Sequence, residues 1–119
     1  MAAAVLSPTA RTDCSVAVVR ADGAHTIVVL RGEWDFSTRP ALSDVLSRVI
    51  ALPVGDVVID LAEAEFIDSA TARVLAVSWQ WLDRRGRALT FRSPSNLAAK
   101  VLDQFGLTDL IEARDRAQP

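Results

Sequence analysis

The chain of 119 residues has one cysteine, one histidine, no tyrosine and five glycines. With Cys14 alone, neither an internal disulfide nor a cysteine-based metal cluster can form, and the thiol reads as a bystander beside the first strand. A serine hydrolase needs a base for its nucleophile. The only histidine, His25, lies between two β-branched runs, and no G-x-S-x-G elbow occurs. Neither G-x-x-x-x-G-K nor G-x-G-x-x-G is present, so the chain offers no phosphate-binding loop. Basic excess is missing too. Thirteen Lys and Arg against fifteen Asp and Glu give a net charge of −2 and a pI near 5.3, the wrong balance for a nucleic-acid surface. Nowhere do about 18 apolar residues run together, and the first ten residues lack the basic segment of a signal peptide. The expectation is a cytoplasmic, non-enzymatic protein without cofactor, metal, nucleic-acid or membrane partner, acting on a protein or a small ligand.

Half of the residues are hydrophobic and 24% charged, enough for one packed core. Residues 1–12, MAAAVLSPTART, keep no period and read as a flexible lead. Val16 to Arg20 and Thr26 to Leu30 flank Asp22-Gly23, the signature of an antiparallel hairpin. After Trp34-Asp35-Phe36, Ser37 or Thr38 caps a helix whose first turn holds Pro40. Its stripe, Leu42, Val45, Leu46, Val49 and Ile50, is spaced for one buried face. Val57 to Leu61 lacks alternation, as a central parallel strand does, and a right-handed crossover joins it to the strand before. A second helix runs from Ser69 to about Arg85, closed by Gly86. On it Ala72, Leu75, Trp79 and Leu82 share one face, with Val74, Val77 and Trp81 beside them. Arg87 to Arg92 gives a further strand. Ser93-Pro94-Ser95 then caps a third helix with Leu97, Val101, Leu102 and Phe105 inward, and Gly106-Leu107 ends it in a Schellman turn. Leu110-Ile111 adds a short strand or turn, and residues 113–119 read as a tail.

The resulting fold class is α/β, a single domain at residues 13–112 with a mixed sheet of about four strands, an N-terminal β-hairpin and three main helices. Loops leaving the carboxyl ends of adjacent parallel strands lie side by side, which brings the loop with Asp35 towards Asp68 and Ser69. Ser69 has two readings from its surroundings. It is a plain N-cap, or it is a phosphorylation site at a helix N-terminus, where free N–H groups and the dipole receive a phosphate. Arg73, one turn on, is a solvated surface arginine or is placed to reach such a phosphate, and Trp81, with Val74 and Val77, packs against a neighbouring helix or forms an exposed apolar patch used by a partner.

Asp60-Leu61 followed by Phe66-Ile67-Asp68-Ser69 resembles the D-L…F-[IM]-D-S-S-G signature of the STAS domain family, and within it of the bacterial anti-sigma factor antagonists. Gly32-Glu33-Trp34-Asp35 is similar to the family's G-E-L-D segment, and Leu102 to Leu110 to its late L-x-x-x-G-L-x-x-L. The motifs stand in register from Val16 to Ile111. The resemblance implies that Ser69 is phosphorylated by an anti-sigma factor serine kinase, which the unmodified domain binds and so frees a sigma factor. Phosphorylation ends the binding, and a phosphatase acting on phosphorylated Ser69 restores it. The implied partner-binding residues are Asp35, Asp68 and Ser69. The family's second serine is here Ala70, its next glycine Thr71, and the glycine after that Arg73. Small residues there would let a partner approach closely, so Thr71 and Arg73 join Trp81 as candidates for an altered partner surface. The competing expectation is a non-switching STAS interaction module, a subunit of a signalling scaffold or lipid-transport complex, in which Ser69 only caps.

Overall fold

The computed structural model describes residues 3–6, 15–52 and 55–112. Cys14, residues 113–119 and most of the lead lie outside them. Among the described residues no helix is long and apolar enough to cross a membrane.

Nine elements follow in the order β1 (Ala3–Leu6), β2 (Ser15–Asp22), β3 (His25–Trp34), α1 (Arg39–Ile50), β4 (Asp56–Asp60), β5 (Ala64–Ile67), α2 (Ser69–Asp83), β6 (Leu89–Arg92) and α3 (Asn96–Gln104). A 3₁₀ turn, Phe36–Thr38, precedes α1, and another, Thr108–Leu110, follows α3. The expected class, a mixed α/β sheet with an N-terminal hairpin and three helices, is what the chain adopts.

The sheet has six strands rather than about four. One addition is β1, which pairs antiparallel with β2 inside the stretch expected to be a lead. The other is β5, four residues beside the carboxyl end of β3. Its middle residues, Glu65 and Phe66, are both exposed, so it lacks the alternation that marks a strand in sequence.

β3 organises the rest. One edge pairs antiparallel with β2. The other pairs parallel with β4 over its first half and with β5 over its last residues. The handover occurs at a register shift between Gly32 and Glu33, where Gly32 has φ +90° and donates its N–H to the Glu63 carbonyl at 3.0 Å. Such a bulge needs a residue tolerant of positive φ. α1 connects β3 to β4, and α2 connects β5 to β6.

The stripe on α1 behaves as its spacing predicts: Leu42, Val45, Leu46 and Val49 are buried against Leu75, Leu82, Leu30 and Trp34 in the main core. On α2 the predicted face holds, with Ala72, Leu75 and Leu82 fully buried and Trp79 packed at the margin. On α3 the stripe is Ala98, Val101, Leu102 and Phe105, and Leu97 is 70% exposed, contrary to the expectation that it faces inward. Leu97 is the second residue of α3, so the stripe begins one position after it. Gly86 and Gly106 close α2 and α3 at positive φ, and the Leu107 N–H returns to the Leu102 carbonyl at 3.0 Å. That is the Schellman bond expected at Gly106.

Candidate functional site

Everything around Ser69 is hung from the last carbonyl of β3. The Trp34 carbonyl accepts two hydrogen bonds, from the Asp68 N–H at 3.2 Å and from the Thr71 Oγ1 hydroxyl at 2.9 Å. Trp34 itself is fully buried, its indole N–H donating to the Arg31 carbonyl at 3.0 Å. A rigid aromatic anchor thus fixes the strand end, and the strand end fixes the first turn of α2.

Asp68, not Ser69, is the N-cap. Its backbone is extended and its carboxylate accepts the Thr71 N–H at 2.9 Å. Ser69 stands at the first helical position, exposed, and its hydroxyl makes no hydrogen bond among the described residues. The reading of Ser69 as a plain cap is therefore corrected. Asp68 takes that role because its N–H, one residue earlier, is the one within reach of the Trp34 carbonyl. The cap uses the Thr71 N–H, leaving those of Ser69 and Ala70 among the orphan donors of the first turn. An exposed hydroxyl with free N–H groups and the positive helix end beside it suits an added phosphate electrostatically.

Thr71 is fully buried, so its placement on a partner-facing surface is also corrected. Three residues after Asp68, it turns its side chain back towards β3 and spends its hydroxyl on Trp34. Arg73 is exposed, with its guanidinium 5.8 Å from the Phe105 ring. Asp35 is drawn beside the same strand end, as the topology predicts, but its carboxylate is engaged locally. It accepts from the Ser37 hydroxyl at 2.6 Å, the Ser37 N–H at 3.0 Å and the Thr38 N–H at 3.3 Å. The bond from the Ser37 hydroxyl, joined by those backbone N–H groups, holds Asp35 below its ordinary pKa of 3.8 against the opposing effect of desolvation. Thr38 Oγ1 in turn accepts the Asp35 N–H at 2.9 Å, completing a capping box. Asp35 therefore caps the 3₁₀ turn, and Thr38, the residue before α1, makes no side-chain cap bond to that helix.

Trp81 does not join this cluster. Twelve residues separate it from Ser69, about 18 Å along the helix. It is 44% exposed in a groove between α1 and α2, where Arg85 stacks on its ring at 3.7 Å. Two exposed aromatics near the strand ends escaped the sequence reading: Phe36, directly after Asp35 and 65% exposed, and Phe66 on β5, 49% exposed. Large apolar residues in segments without helical or strand periodicity were the available signal.

Fold and site together define a one-domain α/β protein that displays an unengaged serine hydroxyl at a helix N-terminus. A family profile described as "Mlab, STAS domain" matches residues 17–112, and the chain belongs to the STAS domain family. Solved structures agree in fold. An anti-sigma factor antagonist from Mycobacterium paratuberculosis superimposes with a TM-score of 0.76 at 22% identity, covering 91% of this chain and 95% of that one. The anti-sigma factor antagonist SpoIIAA in its unphosphorylated form gives a TM-score of 0.71 at 17% identity, covering 86% and 96%. The Bacillus cell fate determinant SpoIIAA in its phosphorylated form gives 0.67 at 17% identity, covering 86% and 99%. No curated protein sequence matches the chain.

Proposed function

We propose that this STAS domain is an anti-sigma factor antagonist, a binding module rather than an enzyme. With Ser69 unmodified it binds an anti-sigma factor serine kinase and so releases a sigma factor. Phosphorylation of Ser69 by that kinase ends the complex, and a phosphatase resets it. The observation that carries this reading is the division of labour at the start of α2: Asp68 does the capping, and the Ser69 hydroxyl is exposed and makes no hydrogen bond among the described residues. A serine kept only as a cap would be engaged with its own helix. Structural likeness to SpoIIAA, a protein with an unphosphorylated and a phosphorylated form, supports the same switch.

A phosphate on Ser69 adds about −1.5 to −2 charges at neutral pH. At the first helical position it meets the dipole favourably, so the domain itself stays folded. A partner that must desolvate the same patch meets a doubly charged group instead. Incubation with the cognate kinase, ATP and magnesium, followed by mass spectrometry, is expected to place one phosphate on Ser69. Ser69→Glu is expected to weaken the kinase complex while Ser69→Ala retains it. Ser69 left unmodified by a kinase that binds Ser69→Glu as well as the parent chain would refute the proposal.

A further inference from the structure

Away from Ser69, the groove between α1 and α2 has a volume of about 920 Å³. Leu46, Ile50, Val74, Val77 and Trp81 give it an apolar lining, and Val77 and Trp81 are 51% and 44% exposed there. Along α2 the row Arg73, Val77, Trp81 repeats every four residues, one ridge of the helix surface, and Arg85 continues it in the turn just past the helix end, stacked on Trp81. The strip is apolar at Val77 and Trp81, with Arg73 before it and the Arg85 guanidinium, folded back over the Trp81 ring, after it. Arg39, on the α1 side, adds a third cation.

Among the described residues no carboxylate lines this groove. Among the described residues Arg39, Arg73 and Arg85 form no ion pair, and each lies over an aromatic ring instead: Phe36 at 4.7 Å, Phe105 at 5.8 Å and Trp81 at 3.7 Å. Arg85 also donates to the Trp81 carbonyl at 3.2 Å, and the Arg87 guanidinium donates to the carbonyls of Gly55 at 2.8 Å and Ile50 at 3.0 Å. Three cations without anions around an exposed apolar strip form a surface complementary to acidic, apolar chemistry.

We infer that the α1–α2 groove docks an acidic amphipathic helix of a protein partner, with apolar residues on Val77 and Trp81 and carboxylates on Arg73, Arg85 and Arg39. A second copy of this chain is a poor occupant, because a two-fold contact through this face would set arginines against arginines. A single-headed anionic lipid is also a poor match, because it carries charge at one end, whereas the cations bracket the strip at both. An amphipathic helix supplies apolar anchors at i, i+4 and i+7 with charge on either side of them.

The inference concerns a surface separate from Ser69 and needs no kinase, so its failure and that of the switch are distinguishable. The probe is a fluorescein-labelled helical peptide of about 14 residues, long enough to span the ridge. Leucines form one face, glutamates flank it, and a control peptide has every glutamate replaced by lysine. By fluorescence anisotropy at low salt, the acidic peptide is expected to bind at least about ten-fold tighter than the lysine peptide, and to weaken as salt is added. Trp81→Ala and Arg85→Glu are each expected to cost about ten-fold or more. Both residues are exposed, and thermal unfolding followed by circular dichroism checks that the variants fold. Equal binding of the two peptides, or binding indifferent to both variants, overturns the inference. So does recruitment to vesicles of mixed zwitterionic and anionic phospholipid without peptide binding, or a dimer in sedimentation velocity that Val77→Glu dissolves.

Discussion

Thr71 is the sharpest test of how the Ser69 turn is held. Thr71→Val keeps the β-branched shape, so rotamer and helix propensity hardly change, and it removes only the hydroxyl that donates to Trp34 at 2.9 Å. The Trp34 carbonyl keeps the Asp68 N–H at 3.2 Å, so no buried acceptor is orphaned. The cost is then that of one net hydrogen bond, about 1 kcal/mol, rather than the larger penalty of an unsatisfied group. For a chain of this length that lowers Tm by about 3–5 °C. Thr71→Gly adds a lost buried methyl and the entropy of a helical glycine, for about 3 kcal/mol in total. Thermal and urea unfolding of both variants, followed by circular dichroism, measures the pair. The order parent, valine, glycine is the result expected. A glycine variant as stable as the parent would refute the buried anchoring role of Thr71 and return it to the surface. That outcome is the informative one, because glycine stands at this position in the motif the chain resembles.

Three further outcomes follow from the same geometry. Asp68→Ala removes the carboxylate that receives the Thr71 N–H and should cost about 1 kcal/mol, with Asp68→Asn recovering most of it in thermal melts. Gly55→Ala should destabilise by about 2 kcal/mol or more in urea titrations, because Gly55 has φ +93° and a Cβ there would collide with the Ala24 carbonyl oxygen. Asp35 carries a lowered pKa, so its ionised form is the one the native state favours; its contribution is present above pH about 4 and lost as pH falls through the native value. The gap in urea midpoint between the parent and Asp35→Ala should therefore be full at pH 6 and narrow on acidification below about pH 4.

What the sequence made legible is what periodicity controls. Leu42, Val45, Leu46 and Val49 announce a buried helix face because side chains recur there with the period of the helix, and the core is built on them. β5 was invisible for the opposite reason: its four residues leave Glu65 and Phe66 exposed in succession, and it exists because β3 outruns β4 and offers a free edge at Glu33 and Trp34. Asp68 and Ser69 are both good caps in sequence. Only the position of the Trp34 carbonyl, 34 residues before Asp68, decides between them. Thr71 reads as a surface polar residue until the same carbonyl claims its hydroxyl.

Trp81 was marked in sequence for its residue type, and the structure places it about three turns from the serine it was grouped with. That distance bears on how a phosphate at Ser69 would act. In physiological salt the field of an exposed charge falls off over about 8 Å. Arg73 lies one turn from Ser69, within that range, whereas Val77, about 12 Å along the helix, and the more distant Trp81 and Arg85 are beyond it. A modification at Ser69 therefore acts on contacts made with the first turn of α2, and with Arg73 as the shared residue. The apolar centre of the groove keeps its character in both states. A partner held by the Ser69 turn alone would be released outright, whereas one that also fills the groove would be weakened at one end and held at the other. Measuring the same acidic peptide on Ser69→Glu and on the parent chain separates these cases by whether the loss matches that of Arg73→Ala.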